Sequence, residues 1–213
     1  MSYKEQLYKN ALKACAEIYR KSKYDKSIDL YRSFDIINSV NDNQIANKEW
    51  LVNELLPYID EEGKRICVLG GWYGLTAFML RQHISKNIII DSVDSDQYCS
   101  KAARWLNGDI KNINYITSTA EDWFFEHPKA YQLIINTSCE HMEQEDINLM
   151  IGLKRPEAFV CLQGNNYHEI QSHINTHDCL DDFVNSFNLK EIHFKNVLPS
   201  VCGKYERYMV IGK

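Results

Sequence analysis

The segment ICVLGGWYGLTAFML, at residues 66–80, carries residue types suited to holding a ligand. A run typical of a buried strand leads into a turn, and an amphipathic helical pattern follows at once. The turn contains three glycines and two large aromatic residues, in the order Gly70, Gly71, Trp72, Tyr73 and Gly74. Glycine lets the backbone approach a ligand closely, and a helix N-terminus offers free N–H donors. The turn therefore predicts a ligand site.

An acidic residue follows about 20 positions later, at the end of the strand pattern IIIDSVD. In dinucleotide-binding folds, a carboxylate at this place accepts hydrogen bonds from the two hydroxyls of a ribose. Asp94 is predicted to have this role, with Ser95 beside it in the binding site. Asp96 lies just beyond, where it is predicted to cap the next helix.

A second polar cluster follows the strand pattern YQLIIN, which ends at Asn136. Ligands and catalytic groups in open α/β sheets gather at the carboxyl ends of strands, so Asn136 is predicted to be a site residue. Glu140 and His141 are the candidate general bases. The alternative is that Ser138 to Glu140 cap the following helix and that His141 is only exposed.

A third polar cluster, GNNYH, follows the fifth strand pattern. Tyr167 in this cluster is a candidate for orienting a carboxylate or an amine of the substrate. Three histidines, His168, His173 and His177, follow at spacings of five and four. Those spacings do not place all three on one helical face, so no metal site is predicted.

The elements that would position these clusters alternate along the chain. The first 60 residues have helical periodicity, and five short strand patterns separated by helical segments then predict a parallel sheet covered on both faces. The last two strand patterns, LKEIHFKNVLP and KYERYMVIGK, are joined by a short segment. Parallel neighbours need a crossover of about a dozen residues or more, so these two strands should pair antiparallel.

This outline resembles the class I S-adenosylmethionine-dependent methyltransferase family, over roughly residues 45–213. The resemblance implies an α/β, Rossmann-like fold: a doubly wound seven-stranded sheet, mostly parallel with an antiparallel last strand, plus an N-terminal helical lid. Residues 1–60 would then form the lid and residues 61–213 the cofactor-binding domain.

The resemblance also implies S-adenosylmethionine as the cofactor, held by the glycine turn and Asp94. The family places adenine contacts after the third strand, where Ala120, Glu121 and Asp122 stand. Two positions depart from the family pattern. Val68 replaces an acidic residue, and Trp72 replaces the middle glycine. Trp72 and Tyr73 would either line the pocket beside the sulfonium, whose charge suits aromatic faces, or pack under the N-terminal helices.

Methylation of a small polar metabolite at nitrogen or oxygen is the predicted function. The first alternative is 3-amino-3-carboxypropyl chemistry that releases methylthioadenosine, as nicotianamine synthases perform, including intramolecular cyclisation to azetidine-2-carboxylate. The altered turn and the missing acid at Val68 suit that alternative. An NAD-dependent oxidoreductase and a non-catalytic adaptor are the remaining alternatives.

Composition limits the partners. The net charge is −5, which disfavours a nucleic-acid or anionic membrane surface. No apolar run approaches the roughly 20 residues that span a bilayer, and seven cysteines without CxxC spacing suggest a reducing, cytoplasmic location. A small-molecule substrate is therefore expected. A homodimer that pairs through the N-terminal helices is the one assembly considered.

Overall fold

A seven-stranded sheet forms the centre of the computed structural model, which describes residues 3–25, 29–108 and 110–213. The strands are β1 (Arg65–Leu69), β2 (Ile89–Asp94), β3 (Ile113–Thr117), β4 (Leu133–Asn136), β5 (Phe159–Asn165), β6 (Ile192–Pro199) and β7 (Glu206–Gly212). Their spatial order is β3-β2-β1-β4-β5-β7-β6. All seven strand patterns of the sequence are confirmed.

The strands β1 to β5 run parallel to one another, while β7 runs antiparallel to both β5 and β6. Leu69 lies opposite Val93 on one side and Asn136 on the other, so β1, β2 and β4 end at the same edge. The reversed β7 places Arg207, near its start, opposite Asn165 at the end of β5. The polar clusters that follow separate strands therefore meet at one edge.

Eight helices surround the sheet in the described ranges. They are α1 (Tyr3–Ser22), α2 (Arg32–Ser39), α3 (Asp42–Leu55), α4 (Leu75–Arg81), α5 (Gln97–Asn107), α6 (Ala120–Glu126), α7 (Gln144–Leu153) and α8 (Leu180–Asn185). Short 3-10 turns cover Leu56–Tyr58 and Cys139–His141. None of the described helices combines the length and apolar character that crossing a bilayer requires.

The three N-terminal helices pack on the same face of the sheet as α4 and α5. Leu7 and Ile18 of α1 and Leu51 of α3 are buried in one core with Ile66 and Ile90 of the central strands. A second core, built around Phe124 and Phe183, covers the opposite face. The helical prediction for the first 60 residues is confirmed at α1, α2 and α3, with residues 1–2 and 26–28 outside the described residues. The division into a lid and a binding domain stays a prediction.

The turn after β1 tolerates no side chain at Gly74, which precedes α4. Gly74 has φ +73°, and a Cβ there would stand 2.4 Å from Cε1 of the buried Tyr115 ring. We expect Gly74→Ala to lower the free energy of unfolding by about 2–4 kcal/mol, because left-handed strain and overpacking add. Urea unfolding followed by circular dichroism measures the change.

Gly152→Ala is the matched control for this prediction. Gly152 lies in α7, and a Cβ there would meet no atom of the described residues within 4 Å. Alanine at a helical position replaces glycine with a gain of roughly 0.5–1 kcal/mol. A Gly74→Ala protein as stable as the Gly152→Ala protein would contradict the close packing of the turn.

Candidate functional site

A cavity of about 800 Å³ opens at the edge where the strands β1, β2, β4 and β5 end. Ten of the predicted site residues line it: Gly70, Gly71, Trp72, Asp94, Ser95, Ala120, Glu121, Glu140, His141 and Tyr167. Gly74, Asp122 and Asn136 lie outside the lining. The sheet has therefore brought together residues from several separate segments of the chain.

The turn after β1 is held in shape by its own backbone and by β2. The Gly71 N–H donates to the Val93 carbonyl at 2.9 Å, and the Gly74 N–H donates to the Gly71 carbonyl at 2.8 Å. Trp72 has φ +46°, a left-handed conformation that is uncommon for a bulky residue. Trp72 lines the cavity while its ring packs against the Tyr73 ring, with centroids 5.3 Å apart, and Tyr73 is buried in the core with the N-terminal helices.

The Asp94 carboxylate joins the turn to the end of β2. Its Oδ2 accepts from the Trp72 N–H at 2.7 Å, and its Oδ1 accepts from the Asp96 N–H at 3.0 Å. Each carboxylate oxygen can accept about two hydrogen bonds, so each keeps one acceptor site toward the cavity. That geometry suits a vicinal diol. Asp96 caps α5 by accepting from the Tyr98 N–H, as predicted, and pairs with Arg32 at 2.5 Å.

The segment after β3 forms the next part of the wall. Ala120 and Glu121, in the first turn of α6, line the cavity, while Asp122 is exposed outside it. The Asp122 N–H donates to Oγ1 of Thr119, the N-cap of α6, at 3.1 Å. Trp123 instead packs against the second core and donates to the Tyr131 hydroxyl at 2.8 Å.

Asn136 shapes the segment that follows β4 without lining the cavity. Its Oδ1 accepts from the Ser138 N–H at 3.0 Å, and its Nδ2 contacts the Met142 sulfur at 3.1 Å. These contacts fix the turn that presents Thr137 and Ser138 to the cavity. Gly74 also lies outside the cavity lining, since it is the residue at which α4 begins.

A buried ion pair that the sequence analysis did not predict forms the opposite wall. Oε1 of Glu140 accepts from Arg207 Nη1 at 2.8 Å and from Asn165 Nδ2 at 2.7 Å. Glu140 is 3% exposed and Arg207 is 8% exposed. In the sequence, the only signal is one arginine at the start of the otherwise apolar run RYMVIG. The contact itself follows from the register of β7, which places Arg207 opposite Asn165.

Lys48 reaches the same wall from α3 and is almost fully buried. Its Nζ donates to Oε1 of Gln44 at 2.7 Å. Burial lowers the pKa of Lys48 to about 7, assisted by the Arg207 charge and opposed by Glu140. An amine with such a pKa can accept a proton at neutral pH, so Lys48 is a candidate base alongside His141.

Tyr167 completes the wall on the side of β5. Its ring stacks on Tyr205, with centroids 5.1 Å apart and planes 9° from parallel. The Tyr167 N–H donates to Oδ1 of Asn165 at 2.8 Å. Asn165 therefore makes hydrogen bonds with both Tyr167 and Glu140.

Solved structures with this fold include proteins crystallised with S-adenosylmethionine or its demethylated product. Fibrillarin from Aeropyrum pernix, with natively bound S-adenosyl-L-methionine, matches with a TM-score of 0.55 and 15% identity, covering 78% of this chain and 74% of its own. An O-methyltransferase from Bacillus cereus in complex with SAH matches with a TM-score of 0.57 and 11% identity, covering 93% and 90%.

The CurJ carbon methyltransferase has a TM-score of 0.60 at 11% identity over 83% of this chain, which spans only 55% of that longer protein. No protein-family model matches the sequence, and no curated protein matches it significantly. Identities this low establish the fold alone. The chain has the class I methyltransferase fold, as the sequence predicted.

The lowered pKa of Lys48 predicts how the free energy of unfolding changes with pH. Between its folded pKa of about 7 and its unfolded value of 10.5, the unfolded chain binds a proton that the folded chain does not. We expect the stability of the wild type relative to Lys48→Met to rise across this range, by up to about 1.4 kcal/mol per pH unit. Urea unfolding of both proteins between pH 6 and 10 measures the difference.

Lys101→Met is the matched control, because Lys101 is exposed on α5. Comparing each variant with the wild type cancels the other groups that titrate in this range. If the Lys48→Met difference were as flat with pH as the Lys101→Met difference, the depressed pKa of Lys48 would be wrong.

Proposed function

We propose that this chain is an S-adenosylmethionine-dependent transferase that methylates nitrogen or oxygen of a small polar acceptor. The observation that carries the proposal is the Gly70–Asp94 corner: a glycine turn and a carboxylate with two unused acceptor sites face one cavity. The corner lies at the carboxyl edge of the sheet, where open α/β folds bind their ligands.

The residues present fit the cofactor. Asp94 is suited to the ribose hydroxyls, and the segment from Ser118 to Glu121 offers a wall for the adenine ring. Trp72 is among the lining residues, and its indole would be the aromatic partner for the sulfonium. A cavity of about 800 Å³ falls in the upper part of the roughly 300–1,000 Å³ range of small-molecule sites, which leaves room for an acceptor.

The opposite wall supports a polar acceptor. Glu140, Arg207, Lys48 and Tyr167 all line this part of the cavity, and both charge signs are present. A ligand that carries both an anionic and a hydrogen-bond-donating group would be matched here. The helix α3, which supplies Lys48, would act as the lid, and the lid assignment for residues 1–60 is part of this proposal.

The protein's contribution to the chemistry is alignment, exclusion of water and acceptance of a proton. When bound, S-adenosylmethionine would supply an activated methyl group on its sulfonium, which the acceptor's lone pair would displace from sulfur. The acceptor's proton would pass to a base on the wall, for which Lys48 and His141 are the candidates among the lining residues. Deprotonated Lys48 is favoured above about pH 7.

One observation favours 3-amino-3-carboxypropyl chemistry as a second candidate. Val68, which replaces the acidic residue of the family, is fully buried in β1. The amine of the methionine arm would therefore lack a carboxylate at its usual place, and the arm could lie in a different direction. The glycine turn and Asp94 would bind the cofactor equally well for either reaction.

Small-molecule specificity, a cytoplasmic location and pairing of two copies through the N-terminal helices also remain proposals. The exposed side chains of Leu12 and Tyr19 on α1 are consistent with such pairing. The acidic net charge supports a metabolite acceptor over a nucleic acid.

Product analysis separates the two reactions. The purified protein is incubated with S-adenosylmethionine, alone and with a small-metabolite extract, and the adenosyl products are identified by mass spectrometry. S-adenosylhomocysteine that forms only with extract supports methyl transfer. Formation of methylthioadenosine would instead indicate attack on the aminocarboxypropyl arm of the cofactor. Its formation without extract would indicate intramolecular cyclisation. Binding without either product would indicate an adaptor.

We expect Asp94→Ala to weaken S-adenosylmethionine binding by about 10- to 100-fold, since hydrogen bonds to a charged group contribute about 1.5–3 kcal/mol. Isothermal titration calorimetry measures the dissociation constant. Asp96→Ala is the control, because Asp96 caps α5 outside the cavity and its loss should reduce stability rather than affinity. Equal affinities of the wild type and Asp94→Ala would remove Asp94 from the site.

A further inference from the structure

Three metal-ligating side chains converge on the cavity wall opposite Asp94. They belong to Glu140, His141 and His173, and one ligand atom from each lies within 4.8 Å of the others. All three residues line the cavity. The imidazole rings of His141 and His173 meet edge to face, with centroids 4.8 Å apart.

Both imidazoles are oriented by backbone carbonyls. Nδ1 of His141 lies 2.9 Å from the Ser172 carbonyl oxygen, and Nδ1 of His173 lies 2.8 Å from the Tyr167 carbonyl oxygen. A carbonyl only accepts, so Nδ1 carries the proton in each ring and Nε2 keeps its lone pair. This is the arrangement that fixes the tautomer and orientation of metal-binding histidines.

The Glu140 carboxylate is satisfied on one oxygen only. Oε1 accepts from Arg207 and Asn165, whereas Oε2 is buried and has no hydrogen-bond partner among the described residues. A buried carboxylate oxygen without a partner is costly, and it calls for a ligand that would satisfy it. One nitrogen of each imidazole and one oxygen of the carboxylate lie within 4.8 Å of one another, a spacing that side-chain rotation would close around one cation.

We propose that Oε2 of Glu140 and Nε2 of His141 and His173 bind one divalent transition-metal ion. Two imidazoles and a carboxylate suit zinc or ferrous iron and leave coordination positions open toward the cavity. Magnesium and calcium prefer several oxygen ligands, and this site offers one carboxylate that is already shared with Arg207.

The spacing of His168, His173 and His177 excludes a shared metal site only if one helix carries them, and the structure has no helix there. Residues 166–179 form no helix, and the three histidines point to different partners. Nε2 of His168 lies 3.2 Å from Oδ1 of Asp178, and the His177 ring contacts Phe183. His173 alone of the three turns to the residues that follow β4, because the Ile174 N–H donates to the Glu140 carbonyl at 2.9 Å.

The site would define the acceptor, a consequence that rests on the proposed function. An ion with open positions in the cavity would bind an oxygen of the acceptor and lower the pKa of a hydroxyl there, and Lys48 would then be the base because both ring nitrogens of His141 are occupied. A hydroxyl beside a second oxygen donor would chelate the ion and present itself as the nucleophile. The acceptor class is then a chelating hydroxy compound rather than an isolated amine.

Metal binding is tested without S-adenosylmethionine. The full chain is freed of metal with a chelator and titrated calorimetrically with ZnCl₂ and, separately, with MnCl₂. We expect one ion per chain for the wild type. We expect His141→Ala and His173→Ala each to weaken binding at least about 10-fold, the lower end of the loss seen even for residues that only support a ligand.

Two controls identify the ligands. His168→Ala removes an exposed histidine outside the cluster and should leave the affinity unchanged. Cys202 lines the same cavity, and Cys202→Ser tests whether a thiolate binds the ion. A Co²⁺-loaded wild type should lack thiolate-to-metal charge-transfer absorption. Glu140→Gln should also weaken binding, and its folding is checked by circular dichroism because Glu140 is paired and buried.

Absence of binding to the wild type would overturn the proposal, as would equal binding by both alanine variants or loss of binding in Cys202→Ser. Failure of the metal site can be distinguished from failure of the proposed function, because the affinity for S-adenosylmethionine is measured separately, on the metal-free chain. A chain that binds the cofactor but no metal would retain the transferase proposal and lose this site.

Discussion

The buried pair of Glu140 and Arg207 is the contact on which one half of the cavity depends. Removing two charges from water is costly, and the cost is offset only when the geometry is good and further hydrogen bonds are made. Asn165 supplies one such bond to the carboxylate. The Glu140 carbonyl also accepts from the Ile174 and Asn175 N–H groups, so the same residue anchors the loop that follows β5.

The other half of the cavity depends on Asp94 in a comparable way. Its carboxylate ties the left-handed turn after β1 to the start of α5, and its backbone carbonyl accepts from the Ser118 N–H after β3. Three strand ends are therefore fixed relative to one another by one residue. Because the rigid sheet joins the two halves, a ligand spanning the cavity would meet both in a fixed relative position.

Much of the fold could be predicted from local patterns, and the site only in part. The apolar runs of β1 to β5 and the short connection between β6 and β7 indicated a parallel sheet with an antiparallel final pair, while the seven-stranded fold was implied by the family resemblance and the strand order is seen only in the structure. The glycine turn and Asp94 could be located because their roles depend on neighbouring residues and a fixed spacing. Asn136 lies outside the cavity lining because the direction of a side chain at a strand end depends on the turn that follows, which Ser138 and Met142 hold here. Gly74 lies outside it because it begins α4.

Arg207 could not be located because its place depends on pairing between distant strands. A parallel strand beside β5 would bring its last residues to the cavity, and those residues of β7 are the apolar Val210 and Ile211. The reversed strand brings its first residues instead, so Arg207 lies opposite Asn165 within reach of Glu140. The antiparallel β7 thus determines the charge of the cavity wall as well as the order of the sheet. The Arg207 guanidinium and the Glu140 carboxylate neutralise each other, and for that reason both charged side chains can remain buried.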